Sequence, residues 1–111
     1  MRLAYLAAPY THADPSVVEQ RITTFCRVDA ALSKRGIFTV SPLLKHLVRQ
    51  HSDLPGDWNY WKDYSKLLLS RCDKMYVITL PGWEESTGVQ AEIQLCEEFN
   101  LPIEYLDEEG Y

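Results

Sequence analysis

The chain has 111 residues, 46% of them hydrophobic and 24% charged, with a formal net charge of −5. That length supplies one domain, residues 1–111, with a core but little to spare. The negative balance argues against a nucleic-acid polymer as partner, and no apolar run reaches the roughly 18 residues of a membrane-spanning helix.

Leu3 to Ala8 is a short apolar run that stops at Pro9 and reads as a buried strand rather than a signal peptide. Asp14-Pro15-Ser16 is a helix start, with Asp14 as N-cap and Pro15 in the first turn. Val18, Ile22, Phe25 and Leu32 recur at roughly helical spacing until Gly36 ends the helix. Ile37 to Val40 is the second strand. Leu43, Leu44, Leu47 and Val48 suggest a helical turn, and Ser52 to Gly56 a loop. Asp57-Trp58 opens a helix running to about Cys72, and Lys74 to Leu80 is the third strand. Ser86 caps a last helix over Thr87 to Phe99, closed by Asn100. Ile103 to Leu106 is a fourth strand, followed by a tail, Asp107 to Tyr111.

Strands alternating with helices predict a flavodoxin-like, doubly wound parallel α/β sheet of about four to five strands, helices on both faces. The expected strand order, 2-1-3-4, puts a topological switch between the first and third strands, and ligands bind outside the carboxyl ends there. The loops at that point are Ala8-Pro9-Tyr10-Thr11 and Gly82 to Gly88.

Glu92 follows one of these loops. It stands four residues after Gly88 and shares its helix face, so its carboxylate leans toward the helix N-terminus over a position with no side chain. From spacing alone it is equally a surface glutamate; the fold puts it where ligands bind. Tyr5 is either a core aromatic or a hydroxyl reaching the third-strand loop. Tyr10 can stack on a planar base or cover the sheet edge. Asp63 lies in the aromatic tract Trp58 to Ser65, which suits stacking on a heterocycle or packing at a subunit interface. With Glu92 it would form a carboxylate pair of the kind glycosidic chemistry uses. His46 and Arg21 are further ligand candidates, each with an ordinary structural alternative. Asp73, at the opposite end of the sheet, reads as a cap. Ser86 and Gly88 at a helix N-terminus suit a phosphate. Cys26, Cys72 and Cys96 form no CxxC pair and fit buried thiols in a reducing cytoplasm. His12, His46 and His51 lack metal-ligand spacing with any cysteine, so neither a metal nor another cofactor is expected.

Together these residues resemble the nucleoside 2-deoxyribosyltransferase-like superfamily, and within it a small phage and bacterial group. The resemblance covers nearly the whole chain. It rests on Tyr5-Leu6-Ala7-Ala8-Pro9-Tyr10, on Ser41-Pro42 with His46, on Trp61 and Asp63 with Cys72-Asp73, and on Gly82-Trp83-Glu84-Glu85-Ser86-Thr87-Gly88-Val89 leading to Glu92. It implies cleavage of an N-glycosidic bond, with Glu92 as nucleophile, Tyr5 orienting it and Asp63 donating a proton to the leaving base. Ala8, Pro9, Tyr10, Arg21, His46, Trp61, Trp83, Ser86 and Gly88 would bind substrate. Two departures stand out. Asp63 lies farther from Asp73 than the corresponding aspartate does in characterised members, and an alternative register puts Ser65 there. The chain is also shorter than the transferases, so a partner subunit would complete the pocket, implying a homo-oligomer. The expected substrate is a nucleoside or nucleotide. A nucleoside 5′-monophosphate N-hydrolase is preferred; the alternatives are a deoxyribosyltransferase acting on free nucleosides and a non-catalytic nucleotide-binding module.

Overall fold

A computed structural model describes residues 2–111. The elements run β1 (Leu3–Ala7), α1 (Pro15–Lys34), β2 (Phe38–Val40), α2 (Leu43–Gln50), α3 (Trp58–Ser70), β3 (Lys74–Ile78), α4 (Thr87–Glu98) and β4 (Ile103–Leu106). The four strands form one parallel sheet in the order β2-β1-β3-β4, the expected doubly wound α/β topology. Among the described residues no helix is long and apolar enough to cross a membrane.

Because side chains alternate along a strand, β1 and β3 feed two separate cores. Ala4, Leu6, Tyr76 and Ile78 point to the face covered by α1, where Val28 and Leu32 meet them. Tyr5, Ala7, Met75 and Val77 point to the other face, against Leu69 and Cys72 at the end of α3 and Val89, Ile93 and Cys96 of α4. Both central strands are buried along nearly their whole length, which explains their unbroken apolar runs.

The caps are local and follow the expectations. Asp14 accepts the Ser16 N–H at 2.9 Å and Ser86 accepts that of Val89 at 3.2 Å. After α1, Gly36 takes a φ of 79°, and after α4, Asn100 one of 57°. In each case the next residue's N–H reaches back across the turn, Ile37 to the Leu32 carbonyl and Leu101 to that of Cys96, both at 3.0 Å. Asp73 ties the amino end of β1 to β3: its carboxylate accepts the Leu3 N–H at 2.9 Å, and its own N–H donates to the Leu3 carbonyl at 2.8 Å.

Three expectations are corrected. The helical turn at Leu43 is a full helix to Gln50, although none of its residues is buried. The tail is folded: Asp107 accepts the N–H groups of Glu109 and Tyr111, Arg35 donates to the Gly110 carbonyl at 3.1 Å, and Gly110 packs on α1 beside Ala31 and Val28. Cys72 and Cys96 are buried free thiols, but Cys26 is exposed, because the inward face of α1 is set by Val28 and Leu32.

Candidate active site

An open cleft of about 1450 Å³ lies at the carboxyl ends of β1 and β3 and extends along α1. Ala8, Pro9 and Tyr10 line it from the loop after β1, and Ser86, Gly88 and Glu92 from the start of α4. His46 lines it from α2, and Trp58, Trp61 and Ser65 from α3.

Glu92 is 6% exposed and Tyr5, beneath it on β1, is fully buried. The Tyr5 hydroxyl donates to Glu92 Oε2 and also contacts Ser65 Oγ at 3.2 Å. Burial pushes the Glu92 carboxyl up to about 7, opposed by the Tyr5 hydrogen bond, which favours the charged form. The Tyr5 hydroxyl is held well above the usual tyrosine range, first by burial and then by the adjacent Glu92. Tyr5 therefore stays protonated and donates to the carboxylate when Glu92 is ionised. A carboxyl balanced near neutrality in a cleft is suited to nucleophilic or proton-transfer work.

Gly88 leaves room above this carboxylate, since a Cβ built on it would meet nothing within 4 Å. The first turn of α4, Thr87 and Gly88 with it, lines the cleft, while the Val89 N–H is taken by the Ser86 cap. The opposite wall is aromatic. Tyr10 stacks on His46 with ring centroids 4.5 Å apart, and Gln50 Nε2 donates to Tyr10 Oη at 2.6 Å. Burial and the neighbouring Arg49 hold the imidazole below the usual histidine range. Trp61 Nε1 donates to the Pro55 carbonyl at 2.6 Å, pinning the loop before α3 to the same wall.

Arg21 lines the cleft, but its guanidinium is already occupied. Nη1 donates to the Thr11 carbonyl at 2.8 Å and Nη2 to that of Pro81 at 3.0 Å, which locks together the loops after β1 and β3. Gly82 makes this lock possible, with a φ of 92° and a Cβ position only 2.9 Å from Arg21 Nη2.

Two expected site residues lie elsewhere. Asp63 is exposed and does not line the cleft. The inward face of α3 runs Trp58, Trp61, Ser65 and Leu69, and Asp63 lies about 200° around the helix from Ser65. The Asp63–Glu92 carboxylate pair therefore does not form, and Ser65 is the α3 residue that faces Tyr5 and Glu92. Trp83 is also outside the cleft: it packs against the core and the Tyr105 ring, centroids 5.4 Å apart. Sequence reasoning missed Gln50, which holds the Tyr10 hydroxyl from outside the cleft, and placed Trp58 in the aromatic tract without singling it out as a wall residue. The spacing from Trp58 through Trp61 and Ser65 to Leu69 was the available signal for the α3 face.

Fold and cleft together define a doubly wound α/β domain with a buried carboxylate at the carboxyl edge of its sheet. The profile of the family described as Domain of unknown function (DUF1937) matches residues 2–108, and the chain belongs to that family. A comparison with curated proteins returns no match.

Proposed function

We propose that the chain is an N-glycosidase that hydrolyses the base–sugar bond of a nucleoside 5′-monophosphate, with Glu92 as nucleophile. One observation carries the reading: a buried glutamate on the floor of the cleft, held by a tyrosine hydroxyl beneath it and left uncovered by Gly88 above it. The resemblance to the nucleoside 2-deoxyribosyltransferase-like superfamily gives that geometry its chemistry.

A Glu92 oxygen attacks C1′ and the N-glycosidic bond breaks, its electron pair leaving with the base nitrogen. The base takes a proton from water in the open cleft, Asp63 having no access to it. The resulting glycosyl ester is opened by a second water, whose released proton neutralises the hydroxide left by the first, and Glu92 returns as the carboxylate. The aromatic wall of Tyr10, His46 and Trp61 suits the base. The free N–H groups at the start of α4 suit a phosphate; Arg21 supports the loops there rather than offering an unpaired charge. The open cleft admits water, which favours hydrolysis over transfer to a second base.

The same reading includes a homo-oligomer. Leu44 is 63% exposed and, with Leu47 and Val48, gives α2 an apolar outer face. The helix lies beside α3, with Lys45 Nζ over the Tyr64 ring at 5.4 Å. A second copy seated there would border the His46 wall and narrow the cleft.

Chromatography of nucleosides and their 5′-monophosphates after incubation tests the proposal. Free base should appear, preferentially from a monophosphate, and vanish with Glu92→Gln. A second added base that emerges as a new nucleoside would make the protein a transferase. Thermal stabilisation by nucleotides without base release would make it a binding module.

A further inference from the structure

The inward face of α3 contains one anomaly. Trp58, Trp61 and Leu69 are apolar, but Ser65 between them is a hydroxyl that is 1% exposed. Alanine would pack in the same space, favour the helix more and leave no polar group to satisfy. The side-chain partner of Ser65 is Tyr5 Oη, and its hydroxyl also borders the cleft.

Proton counting fixes the direction of this contact. Tyr5 has one hydroxyl proton and two neighbours, Glu92 Oε2 and Ser65 Oγ. An ionised Glu92 has no proton to give, so the Tyr5 proton goes to Glu92. The contact at 3.2 Å is then made by the Ser65 proton, donated to Tyr5 Oη. A hydroxyl that accepts a hydrogen bond donates its own more strongly, so Ser65 reinforces Tyr5. When Glu92 is protonated the chain can run the other way, from Glu92 through Tyr5 to Ser65, and no buried group is left without a partner.

We propose that Ser65 is a positioning residue: by donating to Tyr5 it keeps the Tyr5 hydroxyl directed at Glu92 and holds that carboxylate in its ionised, cleft-facing form. The role rests on Glu92 being the reacting group, as proposed above, but the hydrogen-bond chain itself does not require a particular substrate. The other titratable groups around it are Cys72, just after α3 near Tyr5, and, lining the cleft, Tyr10, His12, Glu19, Arg21, Arg27, His46, Asp57, Glu85 and Glu108. Arg21 is held by loop carbonyls; burial raises the Glu92 titration and the Tyr5 hydrogen bond opposes it, so the chain of three is the hydrogen-bonded counterweight to burial.

The test is the titration of the Glu92 carboxyl by carbon NMR on glutamate-labelled protein, with Glu92→Gln identifying its resonance. Ser65→Ala should raise the Glu92 midpoint by about 0.5 pH unit. Where the wild-type protein releases base, the acid limb of the Ser65→Ala kcat profile should move by the same amount, with KM unchanged. Ser65→Thr, which keeps the hydroxyl, should restore the wild-type midpoint. Ser65→Cys, which fills the same space with a weaker donor, should shift it in the alanine direction and serves if alanine fails to fold. An unchanged midpoint in the folded Ala or Cys variant overturns the proposal and leaves Ser65 as packing. If no nucleotide yields free base but the midpoint still moves, the N-glycosidase reading falls and the role of Ser65 stands.

Discussion

Tyr5 donates its hydroxyl proton to Glu92 across the boundary between core and cleft, from a central strand to the second turn of α4. The carboxyl it meets is raised from an ordinary value of 4.5 to about 7 by burial. The folded protein thus binds a proton that the unfolded chain releases between about pH 4.5 and 7. Stability falls as pH rises through that window, by about 3 kcal/mol in all. Glu92→Gln removes the buried charge and keeps an acceptor for Tyr5. Its denaturation midpoint should match that of the wild type near pH 4 and exceed it increasingly up to about pH 7.5, while base release disappears. Equal stability at pH 8 would mean that the carboxylate is well solvated and not held under strain.

The same titration sets the working pH. A glutamate nucleophile acts when ionised, so kcat should climb through about pH 7 rather than about pH 4.5. An acid limb that stays near 4.5 in initial-rate measurements would mean that burial does not hold the Glu92 carboxyl up in the working enzyme.

Gly88 separates packing from function. A methyl group there meets nothing within 4 Å, so the fold does not need glycine at this position. Gly88→Ala should raise stability by about 0.5 kcal/mol, because alanine loses less conformational freedom in a helix. It should also weaken nucleotide binding several-fold by filling the space above Glu92. Calorimetric binding that is unaffected by the substitution would put the ligand elsewhere.

Much of the architecture was legible because its determinants are local. Asp14-Pro15, Gly36, Ser86 and Asn100 mark helix ends through bonds to residues a few positions away, and the apolar runs of β1 and β3 report burial on both faces. Glu92 was legible because Gly88 and Ser86 share its helix. Asp63 was misplaced because α3 carries aromatics on several sides, Trp58, Tyr60, Trp61 and Tyr64, so its phase is set only by the packing of its Leu69 into the core shared with β1, β3 and α4 and by the contact of its Ser65 with Tyr5. Trp83 turns away from the cleft toward Tyr105, a partner that only the β3–β4 pairing brings near. The extent of α2 was obscure since its apolar side is not buried within the chain.

Arg21 looked in the sequence like an anion ligand, and its geometry predicts something different. Its guanidinium bridges the Thr11 and Pro81 carbonyls, so Arg21→Ala removes two charge-assisted bonds between partly exposed loops. The expected loss is about 1–2 kcal/mol, with faster amide exchange confined to the loops after β1 and β3. Arg21→Lys should recover only part of it, since a single ammonium lacks the planar fork that reaches both carbonyls. Full recovery by lysine would mean that charge near the cleft, not bridging, is what the position supplies.

The outer face of α2 carries the last prediction. Leu44, Leu47 and Val48 are 63%, 36% and 40% exposed on one short helix, a concentration of apolar surface that a monomer has little reason to keep. Substituting Leu44 and Leu47 together by lysine leaves the buried core untouched and should change the stability of an isolated subunit by no more than about 0.5 kcal/mol per site. In the proposed homo-oligomer the new charges would lie against apolar surface with no partners. Sedimentation velocity should therefore show the double variant as a 12.9 kDa species and the wild type as a larger one. Base release should fall with the change in size, since His46 and Tyr10 stand on the wall that the second copy would border. A wild-type protein that sediments as a monomer at micromolar concentration removes the partner from the site, and the cleft must then act as it stands.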